Sequence, residues 1–218
     1  MSNSDSFIEE VTEEVRRDRL FALMRRYGWI AVLLVILIVG GTAWREYRKA
    51  SDMAQAQAFG DAILTALEEG EPEARVSALG AIDAPDAGGA AVLRLLGAAE
   101  AASAGDEASA VAALQAVAND GEVPQIYRQI ASYKALTRGA STLSVEDRRA
   151  GLEALAVPGQ PLRLLAEEQL ALLDIETGDA SAAITRLQRI AEDAEATAGL
   201  RRRASQLIVA LGGAPEGS

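Results

Sequence analysis

Residues 165–193 read LAEEQLALLDIETGDASAAITRLQRIAED, and this stretch decides the fold. On both sides of the pair Gly178-Asp179, apolar residues recur every three or four positions, which is the spacing of one face of an α-helix. A glycine directly after such a segment is a helix stop signal. The stretch therefore predicts two helices joined by a tight turn at Gly178.

The same arrangement recurs through the chain beyond residue 50. Four glycines are spaced by 35, 34 and 39 residues, namely Gly70, Gly105, Gly139 and Gly178. Three prolines recur out of phase with them, namely Pro85, Pro124 and Pro158. This period matches the roughly 34-residue helix–turn–helix unit of tetratricopeptide repeats, whose helix pairs stack into a solenoid. The prediction is an all-α chain with a tetratricopeptide-like helical-hairpin solenoid. Because the bulky aromatic residue expected in the first helix of each unit is absent, a non-repetitive helical bundle is the alternative.

The N-terminal part has a different character, because residues 27–44 contain no charged side chain. Their centre, residues 30–39, reads IAVLLVILIV. Eighteen helical residues reach roughly 27 Å, close to the ~30 Å hydrocarbon core of a bilayer. Aromatic residues stand at both ends, as in interfacial belts, and a glycine pair permits close helix approach. The predicted membrane-anchor residues are Tyr27, Gly28, Trp29, Gly40, Gly41 and Trp44.

The flanking charges predict the orientation of this transmembrane helix. Five arginines precede it, Arg25 and Arg26 directly, and three basic residues follow, which places the N-terminus in the cytoplasm. We therefore expect a cytoplasmic leader helix (1–26), a transmembrane helix (27–44), a tetratricopeptide-like domain across the membrane (45–211) and a disordered tail (212–218). If the host is a Gram-negative bacterium, the membrane is the inner membrane and the domain is periplasmic. A cleaved signal peptide is the alternative, although a 26-residue leader with six acidic residues differs from a short basic n-region.

Composition excludes several kinds of chemistry. The 218 residues include no histidine and no cysteine, which rules out an imidazole base, a thiolate nucleophile, a disulfide and the usual zinc sites. A net charge of −11 with 4% aromatic residues disfavours nucleic-acid binding. Adjacent carboxylates such as Glu167-Glu168 point about 100° apart on a helix, and we interpret them as solvated helix faces. We expect no enzyme activity, no catalytic residue, no cofactor and no metal.

The order of these parts resembles a known family. The resemblance is sharpest in FALMRRYGW (21–29), WREY (44–47) and AQAQAF (54–59). On this basis the chain resembles the YfgM-like family of single-pass bacterial proteins with a periplasmic tetratricopeptide-like domain. The resemblance implies an ancillary subunit of the Sec translocon that works with a periplasmic chaperone on unfolded or secreted polypeptides. It brings no catalytic residues.

Two functions remain open, both with the lipid bilayer as an immediate partner. The first is a membrane-anchored interaction scaffold, and the second is an accessory or assembly subunit of another inner-membrane complex. In the second, the surface around Gly40 and Gly41 makes the main contact. After Lys49 the chain has 25 acidic and 13 basic residues, which favours basic clients or partners.

Overall fold

The computed structural model describes the backbone of residues 3–214 and the side chains of residues 24–27, 29–30 and 33–214. Over residues 3–214 the chain forms nine α-helices and one 3-10 turn, and no strand. The helices are α1 (Asn3–Leu67), α2 (Pro72–Gly80), α3 (Ala87–Ser103), α4 (Glu107–Asn119), α5 (Gln125–Arg138), α6 (Val145–Leu155), α7 (Arg163–Glu176), α8 (Ala180–Glu192) and α9 (Ala198–Ala210). The 3-10 turn, Gly139–Ser141, lies between α5 and α6. The predicted all-helical, tetratricopeptide-like solenoid is confirmed.

Contacts divide the chain into two units, Met1–Ala58 and Phe59–Ser218. The first unit consists of the N-terminal part of α1. The second contains the last residues of α1 and helices α2–α9. Of the predicted tail, residues 215–218 lie outside the described residues.

The second unit is built by packing each helix against the next one along the chain. Up to residue 214, its buried apolar residues form four clusters in succession, rather than one central core. Alanines such as Ala131 and Ala204 are fully buried where helices meet. Small buried residues let neighbouring helices approach closely, and nearest-neighbour packing of this kind is characteristic of solenoids.

The second unit also contains an internal duplication with a shift of 73 residues. Helices α4 and α8 each have 13 residues, and their first residues, Glu107 and Ala180, are 73 positions apart. The same shift relates fully buried leucines, as in Leu114 and Leu187. We call α2–α5 the first half and α6–α9 the second half.

The four predicted turn glycines lie between consecutive helices but differ in conformation. Gly105 and Gly178 have φ angles of +84° and +85°, and Gly70 and Gly139 do not have positive φ. After Gly105 and after Gly178, an aspartate caps the next helix. Asp106 accepts a hydrogen bond from the backbone N–H of Ser109, and Asp179 accepts one from that of Ala182, both at 2.9 Å. Gly139 instead is a buried residue at the start of the 3-10 turn, where an added Cβ would lie 2.5 Å from Leu143 Cδ1.

We predict that Gly178→Ala lowers the free energy of unfolding by about 1–2 kcal/mol, because alanine is strained in the left-handed conformation. Gly70→Ala is the matched control. Gly70 has no positive φ and no heavy atom within 4 Å of a built Cβ. We expect the control to stay within about 0.5 kcal/mol of the parent chain. Urea denaturation of the full chain, followed by circular dichroism, measures both values. Equal losses would contradict the assignment of Gly178 as a conformationally required turn residue.

Candidate functional site

An apolar pocket of about 420 Å³ lies between α2 and α4, with α3 as its floor. A volume of this size is in the range of ligand-binding cavities. Its lining includes Val76, Leu79, Arg94, Gly97, Ala101 and Ala113. The pocket is separate from the side on which α3 contacts α5, since no residue of α5 lines it.

Small side chains open this pocket. Gly97 lies in the interior of α3, and a Cβ built on it would have no heavy atom within 4 Å. A glycine inside a helix costs about 1 kcal/mol relative to alanine. Since packing in the described structure leaves room for a side chain, the glycine is not required for close helix approach. Its effect is to keep the floor of the pocket open.

The equivalent place in the second half is filled by an ion-pair network, which we call the Asp174 network. Asp174 on α7 accepts from Arg149 of α6 at 2.7 Å and from Arg186 of α8 at 3.2 Å. Arg186 also donates to Glu167 at 2.6 Å. The side chain of Asp174 is only 4% exposed, so its charge depends on these arginines for compensation. The network therefore holds three consecutive helices together.

The 73-residue shift relates the pocket and the network position by position. In each pair the larger residue lies in the second half: Arg149 corresponds to Val76, Leu170 to Gly97, Asp174 to Ala101 and Arg186 to Ala113. Hydrogen bonds support this alignment, because the backbone of Asp106 donates to Ala101 O at 2.9 Å and that of Asp179 to Asp174 O at 2.8 Å. The pocket is thus the space that larger side chains fill in the other half.

The charge at the pocket has the opposite sign to its counterpart in the network. Among the described residues that line the pocket, Arg94 alone is charged, and it corresponds to Glu167. Arg94 donates through Nη1 to Asp120 at 3.1 Å, and its side chain is 49% exposed. An arginine carries five N–H donors, so this contact leaves donor capacity for a further acceptor.

Hydrogen bonds in the Asp174 network favour the charged form of Arg186. Burial disfavours the charged form of Arg186, but hydrogen bonds to Glu167 and Asp174 outweigh it, and the pKa of Arg186 is raised. On other faces of these helices, Arg203 binds Glu168 through two bonds of 2.7 and 2.8 Å. Burial beside this pair raises the pKa of Tyr133.

The interpretation of Glu167 and Glu168 as solvated was therefore wrong. They do point in different directions, but each meets an arginine of another helix, and Glu168 is 9% exposed. In the described part of the chain, no group of acidic residues is arranged to hold a metal ion.

The predicted membrane-anchor residues lie on α1. Tyr27, Trp29 and Trp44 are between 50% and 63% exposed, and Gly40 and Gly41 have no heavy atom within 4 Å of a built Cβ. The guanidinium of Arg26 lies 5.9 Å from the ring centroid of Tyr27, and that of Arg48 lies 5.3 Å from Trp44. Arg25 is exposed as well.

The described residues contain no apolar helical stretch of membrane-spanning length. Gly28, together with Ala31 and Val32, lies outside the residues whose side chains are described.

Sequence reasoning did not find the pocket or the Asp174 network. Gly97 and Ala101 continue the same small-residue pattern as the rest of α3, and nothing in the local sequence separates an open position from a packed one. The available signal was the comparison of the two segments 73 residues apart, which places Ala101 against Asp174 and Ala113 against Arg186.

Comparison with protein families identifies one match. A family model described as a tetratricopeptide repeat-like domain matches residues 25–137, just over half of the chain. The chain belongs to this tetratricopeptide repeat-like family. The family match covers α2–α4, and thus the whole pocket, and it begins within α1. Comparison with curated proteins and with solved structures finds no match. A tetratricopeptide-like domain indicates a protein-interaction scaffold.

We predict that Asp174→Ala lowers the free energy of unfolding by about 3 kcal/mol, since two arginines lose a buried counter-ion. This value is at the low end for a buried pair because Arg186 keeps Glu167 and Arg149 is 32% exposed. The matched control, Asp120→Ala, breaks the exposed pair with Arg94 and should cost about 0–1 kcal/mol. Urea denaturation of the full chain measures both. A loss below that of the control would show that the network does not hold α6, α7 and α8 together.

Proposed function

We propose that this chain is a membrane-anchored protein-interaction scaffold of the bacterial inner membrane. One observation carries the proposal. Helix α1 bears an uncharged segment with exposed large apolar side chains, and from Phe59 onward the same helix is part of the tetratricopeptide-like unit. In this proposal the segment lies in lipid and the repeats lie on the periplasmic side.

Exposure of the apolar segment supports the membrane anchor. The described large apolar side chains of residues 29–39 are between 43% and 66% exposed. A contiguous apolar surface of this length is rare on water-soluble monomers and marks membrane or protein contact. Arginines and aromatic residues stand at both ends, as at membrane interfaces. The family match begins at Arg25 and therefore includes this segment.

Charge and the family resemblance support the choice of partners. The excess of acidic residues after Lys49 attracts basic partners and is repelled by anionic head groups. The resemblance to the YfgM-like family leads us to propose the Sec translocon and a periplasmic chaperone as partners, with unfolded or secreted polypeptides as clients. Tethering next to the membrane raises the effective concentration of the scaffold where these chains emerge. We propose no enzymatic activity.

An alternative function is supported by the glycine pair in α1. Gly40 and Gly41 are exposed and leave room for a neighbouring helix backbone. Small residues at such positions are typical of close helix association in membranes. The alternative is an accessory or assembly subunit of another inner-membrane complex, with this surface as its main contact.

We predict that the full chain floats with liposomes in a density gradient and that Leu34→Asp with Leu37→Asp abolishes flotation. Each aspartate at the centre of a membrane helix costs about 2.5–3.5 kcal/mol of insertion free energy. Leu64→Asp is the matched control, because Leu64 lies on the same helix beyond the segment and is 62% exposed. Flotation of the double variant at the level of the parent chain would contradict the membrane anchor.

The two candidate functions are distinguished by purification in a mild detergent with partner identification by mass spectrometry. If the repeats carry recognition, Gly40→Ile with Gly41→Ile retains the Sec translocon and the chaperone. Loss of every partner in this variant, with flotation intact, would favour the assembly subunit.

A further inference from the structure

We propose that the pocket between α2, α3 and α4 binds a large apolar side chain of a partner polypeptide that carries a carboxylate beside it. The inference rests on the proposed scaffold function and names the chemistry of the partner at one site. It does not require a particular partner protein. It follows from the comparison of the pocket with the Asp174 network.

The pocket has room for a large side chain. In the second half, Leu170 occupies the position of Gly97 and is 1% exposed, and the side chains of Arg149 and Arg186 close the site from α6 and α8. In the first half, Gly97 and Ala113 leave about 420 Å³ between the same elements. The backbone frame is therefore one that holds large side chains. In the first half the chain itself does not supply them.

The lining of the pocket is mostly apolar. Apart from Arg94 and Ser109, the residues that line the pocket are alanine, glycine, valine, leucine and isoleucine. The free energy of the system falls when an apolar group displaces water from such a surface. Because the pocket is open to solvent, a side chain can enter it from outside the protein.

The charge at the pocket favours a hydrogen-bond acceptor in the bound group. In the Asp174 network, Arg186 is one of the side chains that fill the site, and it donates a hydrogen bond to the acceptor Glu167. In the pocket, the residue that corresponds to Glu167 is Arg94, which is a donor. A group that fills the pocket and complements Arg94 therefore carries an acceptor. A carboxylate next to the apolar group meets this requirement. The acidic excess of the domain opposes it weakly, since exposed charges beyond about 8 Å are screened at physiological ionic strength.

The test uses the full chain in lipid nanodiscs and the fluorescein-labelled peptide GSGLFEGSG, with binding followed by fluorescence anisotropy. We expect saturable binding by the parent chain and a loss of about tenfold or more in affinity for Gly97→Leu, which places a leucine where Leu170 stands in the second half. Gly60→Leu is the matched control. Gly60 is also a helical glycine with no heavy atom within 4 Å of a built Cβ, and it does not line the pocket. We expect its affinity to equal that of the parent chain.

A second arm tests the charge and does not depend on the behaviour of Gly97→Leu. The peptide GSGLFKGSG should bind the parent chain about tenfold more weakly than the glutamate peptide. Arg94→Glu should reverse this preference, because it changes the sign of the lining charge. If Arg94 had a purely structural role, its replacement would weaken the binding of both peptides equally. Circular dichroism establishes that each variant is folded.

Three results would overturn the proposal. They are absence of peptide binding by the parent chain, equal affinity in Gly97→Leu, and equal affinity for the two peptides. Displacement of the peptide by dodecanoate with no preference between peptides would indicate an acyl chain as the occupant. Dissociation of a dimer by Gly97→Leu would indicate a second copy of this chain. Failure of the membrane anchor would appear as loss of liposome flotation, whereas failure of this proposal would appear in the peptide titrations with flotation intact, so the two failures are distinguishable.

Discussion

The close packing of each helix against its neighbour in sequence is the constraint on which the rest of the second unit depends. Alanines with almost no exposed surface, such as Ala98, Ala131, Ala171 and Ala204, lie where these helices meet. With 4% aromatic residues, the chain has few aromatic side chains around which a single core would form. Burial is instead distributed over successive interfaces, each too small to hold the fold alone. Small side chains at these interfaces therefore determine both the solenoid and its separate clusters.

The duplicated halves show that one backbone arrangement supports two different uses of the same position. In the second half, Asp174 and the arginines around it fill the site and tie three helices together. In the first half, residues with short side chains occupy the equivalent positions, and the site is open to solvent. Stability and recognition are therefore separated along the chain. One half gains interhelical contacts at the point where the other leaves a surface for a partner.

Much of the fold was predictable because it depends on local patterns. Apolar spacing indicates helices, and glycines at intervals of about 34 residues indicate the turns between them, so the solenoid follows from the sequence. The details of the turns did not follow. Gly178 adopts a left-handed conformation, but Gly139 is required by the close approach of Leu143, and a one-letter sequence does not separate these causes. The pocket was beyond local reasoning, because alanine and glycine are compatible with both packed and open positions. The partners of Glu167 and Glu168 were also missed, since they lie on other helices, 19 and 35 residues further along the chain.

The uneven placement of ion pairs has a consequence for motion. Hydrogen-exchange protection in a protein with nearest-neighbour packing varies from segment to segment, according to the contacts that each segment would lose on opening. Helix α2 has nine residues, no side-chain hydrogen bond at its N-cap and an unfilled cavity beside it. Among the described residues, it forms one ion pair with a neighbouring helix, Arg75–Glu100, whereas α6 forms two, Arg148–Glu176 and Arg149–Asp174. Opening fluctuations should therefore concentrate at α2, and a ligand in the adjacent cavity would suppress them. The repeat that engages a partner would thus become ordered at the moment of engagement, while the opposite end of the array stays unchanged.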